Sequence, residues 1–210
     1  MPCPHKFQKY LNLERLREGF EPTTLIVGTF TPAWPEGNPA QWFYGRTRNN
    51  YFWDVLPMLY LPEHNLRKAS AGEWKAFCAH NKIALTDIVS IIKDAEQDNE
   101  EHQNIFRTYL DTSIADYFAD FEFTDIKELL LQKPTIRNVY LTRLKGIPIF
   151  DEQWEIVEQY GYENGLHIRN LITPSASARF QIRDYKQAYP KDPTPLKSFI
   201  HYSWKQQWHI

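Results

Sequence analysis

Two loops hold most of the residues in this chain whose types could do chemistry. The first starts at Gly28-Thr29-Phe30-Thr31-Pro32 and continues through Trp42-Phe43-Tyr44-Gly45 to Asn49-Asn50-Tyr51-Phe52-Trp53. The second is Thr173-Pro174-Ser175-Ala176-Ser177-Ala178-Arg179-Phe180. In the first, consecutive backbone N–H groups just past an apolar run, at Thr29 and Phe30, can act as an oxyanion-type donor pair. Aromatic rings such as Phe43 and Tyr44 can wall a pocket, and the amide of Asn50 or its neighbour Asn49 can orient water or hydrogen-bond a ligand edge. The short hydroxyls of Thr173, Ser175 and Ser177 suit phosphates. Each residue also has a plainer use: an aromatic packs in a core, Asn50 caps a helix, Arg179 sits on a surface.

The elements that position these loops follow from periodicity. Leu25-Ile26-Val27, closed by Gly28, reads as a buried strand over 24–28. Further strands are expected at 83–90, 138–142 and 166–172. Helices are expected at 6–18 (ending at Gly19), from Arg48-Asn49-Asn50 to about Pro57, from about Gly72 to 80, at 123–132, at 149–160 (ending at Gly161) and at 195–208. Residues 94–122 read as mixed helix and loop. Strands separated by helices predict an α/β fold, a three-layer α/β/α sandwich with a short, mostly parallel four-stranded central sheet. Residues 1–210 are expected to form one domain. In such sheets ligands sit beyond the carboxyl ends of the strands, where both loops fall.

Composition narrows the function. With 42% apolar residues the chain can bury a sizeable core, and it has no run of about 18 apolar residues that would span a membrane. Its first residues lack a secretory signal, and Cys3 and Cys78 make neither a disulfide framework nor a cysteine-ligated cluster. A reduced, cytoplasmic protein is expected, without membrane contact and as a monomer. The seven histidines show no metal spacing, so neither metal nor cofactor is expected. The fingerprints GxGxxG, GxxxxGK[ST] and GxSxG are absent. Net charge is −2, but residues 94–128 carry a local −9 and residues 166–210 a local +5, which permits a basic face on an acidic protein.

Taken together, the two loops resemble the uracil-DNA glycosylase superfamily. Asn50-Tyr51-Phe52-Trp53 and Pro174 to Arg179 match the Asn-x-Phe-Trp segment and Pro-Ser-x-Ser-Ala-Arg loop of its mismatch-specific (thymine/uracil) branch. The hypoxanthine-DNA glycosylase branch is closer still, through Gly28-Thr29-Phe30, Phe43-Tyr44-Gly45 and the strand at 83–88. The resemblance spans roughly residues 24–205 with its elements in order.

It implies a monofunctional DNA glycosylase that hydrolyses the N-glycosidic bond of a deaminated base, uracil or hypoxanthine, flipped out of DNA during base excision repair. Asn50 or Asn49 would be catalytic. Gly28, Thr29, Phe30, Phe43 and Tyr44 would bind the base. Thr173, Pro174, Ser175, Ser177 and Arg179 would contact DNA, Arg179 entering the space the base leaves. Arg183, Lys186 and Lys191 would extend the phosphate-contacting face. Two departures stand out. Phe30 occupies the position where many superfamily members carry a catalytic Asp or Asn, and one extra residue between Gly45 and Phe52-Trp53 leaves open which asparagine faces the pocket. The alternatives are a non-catalytic nucleic-acid-binding relative and an α/β enzyme acting on a free nucleoside or small metabolite.

Overall fold

The computed structural model describes residues 1–13 and 19–209. Its central sheet has four strands in the order β3-β2-β6-β7: β2 (Thr24–Gly28), β3 (Ile83–Asp87), β6 (Asn138–Leu141) and β7 (His167–Asn170). All three pairings are parallel, with Gly28 beside Asp87 and Val27 beside Leu141. Successive side chains of a strand point to opposite faces, and this alternation sorts the sheet's residues into two cores. Leu25, Val27, Ala84, Val139 and Leu141 face one core, while Ile26, Ile83, Leu85 and Tyr140 face the other.

Helices cover both faces. The first core is closed by α4 (Glu100–Thr108), α5 (Asp111–Tyr117), α6 (Ile126–Gln132) and α7 (Pro148–Glu163), through Phe106, Ile114, Leu129 and Trp154. The second is closed by α1 (Gln8–Leu11), α2 (Phe52–Met58), α3 (Ala71–His80) and α9 (Pro195–Gln207), through Leu11, Trp53, Trp74 and Trp204. A short α8 (Arg183–Ala188) precedes α9. The three-layer α/β/α arrangement read from the sequence is the observed one.

Several boundaries differ from those expected. The run 83–90 is two strands: after Asp87 the chain turns at Ile88, and β4 (Val89–Ile92) joins a second, antiparallel sheet with β1 (Cys3–Pro4) and β5 (Phe121–Phe123). The helix placed at 149–160 runs on through Gly161, because α7 presses there against β7; a methyl group on Gly161 would collide with the Ile168 side chain. Phe123 belongs to β5, so α6 starts only after Asp125, whose carboxylate caps the Glu128 amide at 2.9 Å. The second helix begins at Phe52, not at Arg48. The lead-in helix is the single turn α1, and residues 14–18 of the expected span lie outside the described residues.

Helix α3 starts at a capping box: Ser70 Oγ accepts the Glu73 amide at 3.3 Å and the Glu73 carboxylate accepts the Ser70 amide at 2.8 Å. Ser70→Ala is expected to cost about 1 kcal/mol of stability, read as a lower urea midpoint with an unchanged slope.

Candidate active site

The carboxyl ends of β2, β3 and β6 meet in one polar corner. Gly28 ends β2, and its α-carbon face is closely overhung: a methyl group there would run into Asp87 Oδ1 and stand 2.8 Å from the Tyr44 hydroxyl. Only a residue without a side chain lets Asp87 and Tyr44 converge over this strand end.

Tyr44 lies flat on Phe52, with ring centroids 3.8 Å apart and planes within 4°. Its backbone is left-handed, φ 56°, a conformation that costs a non-glycine residue about 1 kcal/mol. The turn is tied by the Gly45 amide donating to the Trp42 carbonyl at 2.9 Å. Thr142, just past β6, spends its hydroxyl proton on the Val27 carbonyl at 3.2 Å, so the Tyr44 hydroxyl is the donor in its 2.9 Å bond to Thr142 Oγ1. Burial, and after it the charge of Asp87, holds the Tyr44 hydroxyl well above the ordinary phenol range, so it stays protonated.

Asp87 is anchored from the far end of the chain. Strand β1 pairs antiparallel with β4, and the His5 amide continues the ladder to the Ser90 carbonyl at 2.8 Å, which carries the His5 ring beside Asp87. His5 Nδ1 accepts the Phe7 amide at 2.9 Å, so Nε2 bears the proton and donates it to Asp87 Oδ2 at 2.7 Å; this tautomer is assigned from the network. Phe43 stacks on the imidazole at 5.5 Å, and Phe30 and Phe7 meet it edge-on.

The acidic segment also reaches this corner. Asp111, the first residue of α5, accepts the Thr29 hydroxyl at 2.7 Å and lies 3.9 Å from Arg143 Nε. Burial pushes its carboxyl above the ordinary range, opposed by Thr29 and Arg143. Arg46 lies over the Tyr109 ring at 3.4 Å; burial lowers its pKa, against the pull of Tyr109, Asp111 and Asp87.

Among the residues singled out in the sequence, Gly28, Thr29, Phe30 and Tyr44 lie at this corner. The Thr29 and Phe30 amides donate to no partner among the described residues. Phe43, only 1% exposed, is packed behind His5 in the second core, so Tyr44 is the ring that reaches the corner. Asn50 Oδ1 accepts the Phe52 amide at 2.9 Å, the helix-start role, while Asn49 is exposed.

The two sequence-distant loops are hydrogen-bonded to each other. The Tyr51 amide donates to the Pro174 carbonyl at 2.6 Å and the Ala176 amide to the Asn49 carbonyl at 3.0 Å, an antiparallel bridge between Asn50 and Ser175. Ser175 Oγ accepts the Thr173 hydroxyl and the Ser177 amide at 3.1 and 3.2 Å, at the start of a 3-10 turn over 176–181. Trp204 of α9 secures the loop from below, donating to the Ile172 carbonyl at 2.8 Å. Arg179 is exposed at its tip, over the Phe180 ring at 4.9 Å, with Phe180 itself 78% exposed. Arg67 ties down the other loop: its guanidinium binds the Asp54 carboxylate and the Thr47 carbonyl.

Sequence reading did not single out Asp87, His5, Asp111, Arg46 or Arg143 as site residues. Asp87 carried two signals, an acid at the last position of a buried strand and a place in the segment 83–88 that carries the resemblance. The others carried none, because each reaches the corner only through packing. Among the described residues, no group of three His, Cys, Asp or Glu is arranged to hold a metal ion, and no helix is long and apolar enough to cross a membrane.

No protein-family profile matches the chain, and no curated protein matches it. It is similar to a solved solution NMR structure of a uracil DNA glycosylase candidate from Methanosarcina acetivorans, at 16% identity and a TM-score of 0.51, over 90% of this chain and 93% of that one. At that identity the likeness establishes the fold: this chain is built on the α/β/α plan of the uracil-DNA-glycosylase type.

Proposed function

We propose that this protein is a monofunctional DNA glycosylase, hydrolysing the N-glycosidic bond of a deaminated base, uracil or hypoxanthine, flipped out of DNA for base excision repair. The observation that carries this reading is the corner itself: a flat Tyr44 ring and two undonated amides beside a loop of short hydroxyls and an exposed arginine. A flipped base stacks against Tyr44. Its carbonyl oxygen accepts from the Thr29 and Phe30 amides, which stabilise the negative charge that builds on the departing base as the glycosidic bond breaks. Asn49 orients the attacking water, with Asn50, whose Oδ1 is committed to the Phe52 amide, contributing only its NH2 group. Thr173, Ser175 and Ser177 contact phosphates beside Pro174, and Arg179 fills the vacated base position. The mechanism uses no Schiff-base lysine, so no strand cleavage accompanies base release.

End-labelled oligonucleotides carrying one uracil, hypoxanthine or mismatched thymine, single- and double-stranded, test the proposal. Alkali-dependent breaks at one modified base, lost in an Asn49/Asn50 double alanine variant, are the expected result. The commitment of Asn50 to helix α2 favours one second reading, a nucleic-acid-binding relative without turnover. Intact strands despite binding that falls steeply with salt would select it. Salt-independent binding would instead point to a small-molecule ligand.

A further inference from the structure

The chain leaving the loop of short hydroxyls builds a surface that the proposed chemistry does not use. The 3-10 turn over 176–181 passes straight into α8, with Ile182 buried at the junction, and α9 packs against both. Helices α8 and α9 meet through four rings. Tyr185 is the hub, its ring centroid 4.7 Å from Tyr189, 5.7 Å from Phe199 and 5.8 Å from Tyr202. Its hydroxyl donates to Asp192 Oδ2 at 2.9 Å, and Asp192 Oδ1 accepts the Thr194 amide at 2.8 Å, which fixes the link between the two helices. Tyr189 and Tyr202 are the outer rings, 6.4 Å apart and 50% and 48% exposed. Two neighbouring rings held half-open in this way offer stacking area at little ordering cost.

Charge identifies the partner. From Arg179 to the end of the chain there are six Lys and Arg against two Asp. Both acids are engaged, Asp184 with Arg183 Nε at 3.2 Å and Asp192 with Tyr185. Lys186 follows Tyr185, Lys191 stands two residues beyond Tyr189, and Lys205 lies one helical turn beyond Tyr202; all three are exposed. Flat rings interleaved with cations fit a polyanion that carries flat groups. A duplex keeps the faces of its bases inside the stack, so only an unpaired strand presents them.

We propose that the α8–α9 surface binds single-stranded DNA, with Tyr189 and Tyr202 stacking on unpaired bases while Lys186, Lys191 and Lys205 contact phosphates. This assignment rests on the glycosylase reading for the presence of DNA and adds the form of the strand. Because α8 continues from the loop that carries Ser175 and Arg179, the surface receives unpaired strand next to a base held at the corner. Sequence is not read there, since every base has a face to stack.

Anisotropy of labelled oligothymidylate, and of a duplex of equal length without a modified base, tests binding apart from catalysis. Tyr189→Ala and Tyr202→Ala are each expected to weaken oligothymidylate binding by about 10-fold and to leave duplex binding unchanged. Tyr189→Phe and Tyr202→Phe, which keep the ring, should bind as the parent does. The slope of log affinity against log salt should hold in the tyrosine variants. In a Lys186→Ala/Lys191→Ala double variant it should fall by about 1.4, at roughly 0.7 per phosphate on a single strand. Circular dichroism and melting temperature confirm folding in each case. Equal losses on strand and duplex would overturn the assignment, as would unchanged affinity or a parent that does not bind oligothymidylate.

The base-release panel separates this assignment from the reading it rests on. A Tyr189→Ala/Tyr202→Ala double variant should release less modified base from single strands and as much from duplexes. Release from single strands at the parent rate would overturn the stacking surface while the glycosylase reading stood. Tyrosine-dependent strand binding in a protein that releases no base would sustain the surface while the glycosylase reading fell.

Discussion

Gly28→Ala is expected to inactivate the site and to destabilise the fold. The added methyl meets Asp87 Oδ1 and the Tyr44 hydroxyl, both of which are tied in place. Asp87 is held by a buried imidazole, and Tyr44 is sandwiched between its bond to Thr142 and its stack on Phe52. Neither is the loose end of a flexible surface side chain, so the clash is relieved only by breaking a hydrogen bond or shifting β2. Inserting one carbon into a well-packed interior costs about 1–3 kcal/mol. The catalytic loss should exceed what that figure suggests, because a misplacement of about 1 Å in a site is worth roughly 100-fold in rate. A denaturant midpoint and the oligonucleotide assay check both parts. An unchanged midpoint would mean that the corner can relax around the methyl group.

Trp53→Ala is expected to have the largest effect on stability. Trp53 is 1% exposed, stacks on Trp74 at 5.0 Å within 7°, and meets Phe52 edge-on. Truncating a buried tryptophan costs about 3–5 kcal/mol, through lost transfer energy and the cavity left behind. Its Nε1 also donates to the Phe43 carbonyl at 3.0 Å. That bond fixes the residue immediately before Tyr44, whose left-handed backbone needs support from its surroundings. Trp53→Phe separates the two contributions. It keeps most of the packing and removes the N–H, so about 1–3 kcal/mol should be lost. Binding of free uracil or hypoxanthine should weaken out of proportion to that loss. Thermal unfolding beside a base titration measures both. If binding is unchanged in Trp53→Phe, the turn at 42–45 is held without this bond.

Much of this architecture was legible in local patterns, and particular residues show why. Leu25-Ile26-Val27 forms a strand because β-rich apolar residues with no polar partner for either face are stable only when covered on both sides, as they are. Helix α9 starts at Pro195, a residue suited to a first helical turn. The local pattern misled where a tertiary contact outweighed it. Gly161 reads as a helix end, yet α7 continues through it because a residue without a side chain lets the helix lie against Ile168. Asp87-Ile88-Val89 reads as one continuous strand, yet the chain changes sheets there, since Val89–Ile92 pairs antiparallel with β1 and β5. The acidic stretch 94–122 reads as mixed helix and loop with no site residue, yet its Asp111 takes the Thr29 hydroxyl.

By itself, then, the sequence determined the α/β class, the order of the four central strands' segments along the chain, and the two loops that converge. Those properties depend on residue types a few positions apart, where strand alternation, helix periodicity and turn chemistry act. The tertiary structure alone decided which of the loop residues face one another. Phe43 was drawn into the core, and His5 across 82 positions onto Asp87. Such pairings depend on the antiparallel ladder of β1 on β4 and on packing around Gly28, neither of which leaves a signature in neighbouring residues.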